Sequence, residues 1–162
     1  MGSEIRERNK QRENYKKSKI ASQQSFGGGT YVPMPHKLLT SKEYAGLSPI
    51  AKALLVDMMA QYLPLKNNGD LCVAFSVMQT YGWKSTTTLR KARNELMDKG
   101  FIILTKQGDR KRPHLYAFTF FNIDPCTDIH GRSKIDLAPT EEPLNYWMAS
   151  DVEHKPKLKL VM

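Results

Sequence analysis

Long apolar runs are missing from this chain. No stretch approaches the roughly 20 consecutive apolar residues that a bilayer-spanning helix needs, so a membrane protein is not expected. Cysteine is scarce as well: Cys72 and Cys126 stand far apart, and one of them falls in a run that reads as a short strand. That argues against a disulfide framework and for a reducing, cytoplasmic home. The first residues are charged and contain no apolar segment, so a secretory signal is not expected. Clustered carboxylates of the kind used by metal-dependent nucleases are lacking, as is any Ser, His and Asp set that can be placed together. The expectation is a protein that is not an enzyme and needs no cofactor.

Acidic residues are outnumbered, 16 against 25 Lys and Arg, which leaves a net charge of +9 over 162 residues. An excess of that sign favours polyanionic partners. It is unevenly spread: residues 1–35 sum to +4, residues 36–120 to +7 and residues 121–162 to −2. Electrostatic binding therefore belongs to the first three quarters of a chain that is long enough for one ordinary domain.

Residues 1–35 read as a disordered basic arm ending in a linker. Its few apolar residues make no stripe, Gly27, Gly28 and Gly29 form a joint, and Pro33 and Pro35 favour extended backbone. Residues 36–120 read as the folded domain. After a short helical piece around 37–44, Ser48 caps a helix with Pro49 at its first position. Ile50, Ala51, Leu54, Leu55, Met58, Met59 and Tyr62 then give it one wide core face. Asn67-Asn68-Gly69 is a turn signal, 71–73 a short strand and 74–81 a helix of about two turns stopped by Gly82. Ser85 caps a helix over 86–99, with Leu89, Ala92 and Leu96 inward and Gly100 as its end. Two β-rich runs, 101–106 and 115–120, flank a polar loop. Helix, short strand, helix, tight turn, helix and hairpin follow one another as in a winged helix: an α+β, mainly α, fold with a three-helix core and a β-hairpin wing.

In a helix-turn-helix the second helix offers a polar face to the major groove. Here that face carries Thr86, Thr87, Arg90, Lys91, Arg93 and Asn94, opposite the apolar stripe. Arg90, Arg93 and Asn94 are suited to base edges, and Thr86, Thr87 and Lys91 to positioning the helix. Arg110, Lys111 and Arg112 occupy the wing tip, where phosphates would be held. From Ser85 to His114 the charge sums to +5, and two adjacent basic elements make an electrostatic footprint that an isolated solvated helix would not.

Several pieces also stand in the order found in a known group. They are Leu47-Ser48-Pro49 with Ala51-Lys52-Ala53-Leu54, Asn67-Asn68-Gly69-Asp70-Leu71, Gly82-Trp83, Ser85, Thr88-Leu89, Arg93 and Glu95-Leu96. Lys99-Gly100-Phe101-Ile102, Thr105-Lys106-Gln107-Gly108 and Leu115-Tyr116-Ala117-Phe118-Thr119 follow. Over nearly half of the chain this resembles the winged-helix regulators and replication-initiation modules of bacterial phages, plasmids and related mobile elements. The resemblance implies binding of double-stranded DNA in transcription regulation or replication initiation. Thr80-Tyr81 departs from the pattern, standing where a small residue usually ends the bracing helix.

A different class of reading is a winged-helix module that binds a replication or host-defence protein. It would work through Tyr146, Trp147 and Met148 in a short helix at about 143–150, within an otherwise partly disordered extension over 121–162. A homodimer is a possible partner arrangement, although no heptad or long exposed apolar stripe is evident to build one. Asp124, Cys126, Asp128 and His130 alternate, but one thiolate and one imidazole beside Pro125 make a poor metal set.

Overall fold

The structure, a computed structural model, describes Lys17 and residues 31–148. The basic arm expected over 1–35 lies outside the described residues apart from Lys17 and 31–35. The chain divides into two units, Met1–Pro33 and Met34–Met162, and the second contains every element below.

The helical piece expected around 37–44 is two short helices, α1 (His36–Leu39) and α2 (Lys42–Ala45). Ser41 separates them: its hydroxyl donates to the Leu38 carbonyl at 2.6 Å and accepts from the Tyr44 N–H at 3.1 Å, ending one helix while starting the next. Helix α3 (Pro49–Gln61) starts as expected, with Ser48 Oγ accepting from the Ala51 N–H at 3.1 Å and proline at the first position. Ala51, Leu54, Leu55, Met58 and Met59 are buried, but Ile50, expected on the inward face, is 46 % exposed.

Strand β1 (Leu71–Cys72) is followed by α4 (Phe75–Met78), a single turn that tightens into a 3₁₀ turn over Gln79–Tyr81 instead of continuing as the expected two-turn helix. The chain reverses at Gly82, with φ +92°. Helix α5 (Thr86–Asp98) is capped by Ser85, whose Oγ accepts from the Thr88 N–H at 3.2 Å, and it buries Leu89, Ala92 and Leu96. Strands β2 (Ile102–Lys106) and β3 (Leu115–Phe118) then form the hairpin. The sheet is antiparallel in the order β1-β3-β2, with Leu71 opposite Tyr116 and Ile102 opposite Phe118. Among the described residues, the five α-helices of Met34–Met148 and a three-stranded antiparallel sheet make an α+β architecture, compatible with a small winged-helix-like arrangement.

The two long helices are joined by more than apolar contact. Glu95 of α5 accepts from the N–H (2.8 Å) and the hydroxyl (2.6 Å) of Ser48, the cap of α3, and pairs with Lys99 at 3.3 Å. Burial alone would raise the Glu95 pKa. The two Ser48 bonds and the Lys99 ammonium outweigh burial and hold the carboxyl below its ordinary value.

A second polar tie lies deep in the fold. Asn68 is fully buried. Its side-chain amide accepts from the Phe118 N–H at 2.8 Å and donates to the Phe118 and Asn122 carbonyls at 3.0 and 2.8 Å. Its backbone exchanges hydrogen bonds with Asp124: N–H to Oδ2 at 2.7 Å, and carbonyl from the Asp124 N–H at 2.9 Å. The turn before β1 is thereby fastened to the chain leaving β3.

The packed region does not stop at residue 120, where sequence placed the domain boundary. Ile123, Cys126, Ile135 and Trp147 are buried, and Trp147 stacks on Phe101 with ring centroids 6.1 Å apart. The short helix expected over 143–150 is a 3₁₀ turn, Tyr146–Met148, and its last two positions lie outside the described residues. Gly100 shows how closely this segment sits. At φ +76° it ends α5 in the left-handed region, and a Cβ there would lie 2.7 Å from the carbonyl carbon and oxygen of Tyr146.

Candidate nucleic-acid interface

Helix spacing sorts the candidate residues of α5 into two adjacent strips. Thr86, Arg90 and Arg93 recur at i, i+4 and i+7, as do Thr87, Lys91 and Asn94 one position on. All six are solvent-accessible, Arg93 only in part. The buried Leu89, Ala92 and Leu96 lie opposite and fix the rotation of the helix.

Arg93 and Asn94, both expected to read bases, engage one another. The Nε and Nη2 of Arg93 donate to Asn94 Oδ1 at 3.2 and 2.8 Å. Burial of the Tyr116 ring raises its phenol's pKa, and the Arg93 guanidinium beside it opposes that rise. Arg93 is thus anchored between helix and sheet. Arg90 and Lys91 have no ion-pair partner among the described residues.

The loop between β2 and β3 is built by its own side chains. Asp109 Oδ1 accepts from the N–H groups of Lys111 (2.8 Å) and Arg112 (2.9 Å), and its N–H donates to the Arg112 carbonyl at 2.9 Å. Its other oxygen takes the Arg112 guanidinium at 3.1 and 2.9 Å. The Lys111 amide first, and then the guanidinium, hold the Asp109 carboxyl below its ordinary pKa. His114 Nδ1 accepts from the Gly108 N–H at 3.0 Å, which leaves its proton on Nε2. A Cβ at Gly108 would run into the Arg112 carbonyl oxygen, so the loop closes this tightly only around glycine. Arg110 and Lys111 project from it, exposed and unpaired among the described residues, whereas the charge of Arg112 is largely offset by Asp109.

Between α5 and this hairpin lies a half-open cleft of about 230 Å³. Val73, Phe75, Leu89, Pro113 and Tyr116 give it an apolar lining, and Thr86, Arg90, Arg93 and His114 supply its polar groups. The structure therefore brings Thr86, Arg90 and Arg93 together at one opening, with Thr87, Lys91 and Asn94 on the neighbouring strip and Arg110, Lys111 and Arg112 on the loop. Sequence reasoning did not single out Val73, Phe75, His114 or Tyr116. Only their convergence on α5 from two separate segments marks them, and no local pattern does. A donor-rich rim over an apolar floor suits a ligand edge that carries hydrogen-bond acceptors or negative charge.

Tyr146, Trp147 and Met148 do not form the exposed aromatic surface that the protein-docking reading required. Trp147 is 4 % exposed, and its indole N–H donates to Asn145 Oδ1 at 3.2 Å. Cys126 is buried too, its thiol pKa pushed up to about 11, chiefly by desolvation and then by Asp70 and Asp124. Among the described residues, no group of three or more His, Cys, Asp or Glu converges as metal ligands would, and no helix is long and apolar enough to cross a membrane. Comparison with known families, with curated proteins and with solved structures finds no match to this chain.

Proposed function

We propose that this protein is a cytoplasmic, non-catalytic winged helix-turn-helix protein that binds double-stranded DNA in transcription regulation or replication initiation. One observation carries the reading: Thr86, Arg90 and Arg93 of α5 line one cleft together with Pro113 and His114, which follow directly on the cationic run Arg110–Arg112, and that loop is shaped by its own hydrogen bonds. In the proposed complex α5 enters the major groove, with Arg90 and Asn94 as base readers and Thr86, Thr87 and Lys91 on the flanking backbone. Arg110 and Lys111 hold phosphates. The Arg93 bonds to Asn94 and its place beside Tyr116 support a role in positioning the helix against the sheet, so its contribution to base reading is smaller than that of Arg90.

Five cations of this face, Lys84, Arg90, Lys91, Arg110 and Lys111, lack an ion pair among the described residues. With Arg90 on a base edge, the other four neutralise one phosphate each, and log K falls with log salt at a slope of about −3.6. The test is fluorescence anisotropy of a mixed-sequence duplex against salt, with the intact protein and with Arg90→Ala/Arg93→Ala. Tight, salt-steep binding that the double variant weakens supports the proposal. A duplex bound no better than a neutral polymer at low salt overturns it.

A further inference from the structure

The turn that leads into α5 is tied mostly to its own neighbours. Gly82 and Trp83 donate their N–H groups back to the Gln79 and Met78 carbonyls at 3.0 and 3.2 Å, and Ser85 Oγ accepts from the Thr88 N–H ahead of it. Among the described residues, one hydrogen bond takes this turn to a third element: the Trp83 indole N–H donates to Asp57 Oδ2 of α3 at 2.7 Å.

That bond completes a pair. The buried leucines of α3 and α5 hold the two helices together, but apolar contact has no direction. Direction comes from the polar ties. Near the end of α5, Glu95 takes the N–H and hydroxyl of Ser48; just before its start, Trp83 reaches Asp57. Ser48 and Asp57 stand about 13 Å apart along α3 at 1.5 Å per residue. A helix fastened at one end can pivot on its apolar contacts, whereas one fastened at both keeps its angle. The division of labour also differs by end. Glu95 adjoins Asn94, while Trp83 precedes the turns that carry Thr86, Thr87 and Arg90.

The chemistry of Asp57 suits an indirect role. It is the only acidic residue of α3 and has no ion-pair partner among the described residues. A carboxylate repels phosphate, so contact with a DNA backbone is excluded for it. An indole N–H can only donate, and an ionised carboxylate can only accept, so the bond forms in one sense alone and is charge-assisted.

We propose that Asp57 is a positioning residue: through the Trp83 indole it fixes the angle at which the first turns of α5, with Arg90, meet a duplex. This rests on the DNA reading above. It adds a residue outside the reading helix that sets base preference while touching neither base nor phosphate.

The experiment uses a duplex enriched from a random-sequence library by the full chain, with a scrambled duplex of the same composition as reference. Asp57→Ala should lower the preference for the enriched duplex roughly tenfold, the size of one base contact. The salt slope should stay as it is, because every exposed cation remains. Trp83→Phe keeps a ring but removes the donor, and should lower the preference equally; the two substitutions together should lower it no further, as for partners in one bond. Asp57→Asn retains an acceptor and should recover most of the preference. In nitrogen–proton correlation spectra of the free protein, the Trp83 indole N–H should exchange faster with solvent in Asp57→Ala and stay protected in Asp57→Asn. If Asp57→Ala keeps the full preference, weakens both duplexes alike, or adds its loss to that of Trp83→Phe, the proposal falls while the DNA reading stands. A wild-type chain that enriches no duplex overturns both.

Discussion

Helices α3 and α5 are both thirteen residues long, both begin at a serine cap and both bury leucines in one shared core, yet they present opposite faces to water. Outside, α5 shows threonine, arginine, lysine and asparagine; α3 shows isoleucine, alanine and valine. The inward faces could be exchanged in kind with little change to the fold. The outward faces could not, because they set what each helix is able to meet.

The firmest way to break this comparison is from the inside. Leu54 and Leu96 are both fully buried, one on each helix. Leu54→Ala and Leu96→Ala should each cost about 2–5 kcal/mol in denaturant unfolding. A large disparity between them would mean that the helices are not equivalent as core. Next comes the tie between them. Glu95→Gln keeps the shape but loses the charge that Ser48 and Lys99 bind, and should cost about 1–3 kcal/mol near neutral pH.

That substitution should also change the acid limb of the stability curve. The folded Glu95 pKa lies below the ordinary 4.5, so its stabilisation is complete above 4.5 and is lost as pH falls from there through the lowered folded value. Thermal melts over that window should fall less steeply for the variant than for the parent. Equal slopes would remove the charge from the account of that contact. The smallest stability effects are expected outside. Arg90→Ala and Val56→Glu should each shift unfolding by no more than about 0.5 kcal/mol. Lys111→Ala should reduce the salt slope of DNA binding by about 1, Arg90→Ala should instead relax base preference, and Val56→Glu should leave DNA affinity untouched.

The sequence disclosed α5 almost completely, because its apolar residues occupy one stripe and Ser85 and Gly100 mark its ends. It disclosed where α3 lies and most of its inward face: Ala51, Leu54, Leu55, Met58, Met59 and Tyr62 are buried as expected, and only Ile50 is not. A helix with so few polar residues marks the edge of its core face poorly, which is why Ile50 was assigned to the core and no exposed stripe was expected. Asn68 was legible only as part of an Asn-Asn-Gly turn. Its burial depends on partners some fifty positions away, at Phe118 and Asp124. The packing of residues 121–148 rests on isolated side chains in irregular backbone, and without periodicity there is no pattern to read. At the candidate interface the basic loop was visible as a run of three cations. The neutralising role of Asp109 and the anchoring of Arg93 required the folded geometry.

The chain's two tryptophans occupy separate parts of the molecule. Trp83 is part-buried, in the turn before α5, with its N–H on Asp57, while Trp147 is sealed against Phe101 at the far end of the fold. The protein thus contains two built-in fluorophores for two different events. With Trp147 replaced by Phe, emission follows the turn that leads into the proposed DNA-reading helix. With Trp83 replaced, it follows detachment of the C-terminal segment, so ligand engagement and partial unfolding can be timed separately without adding a label.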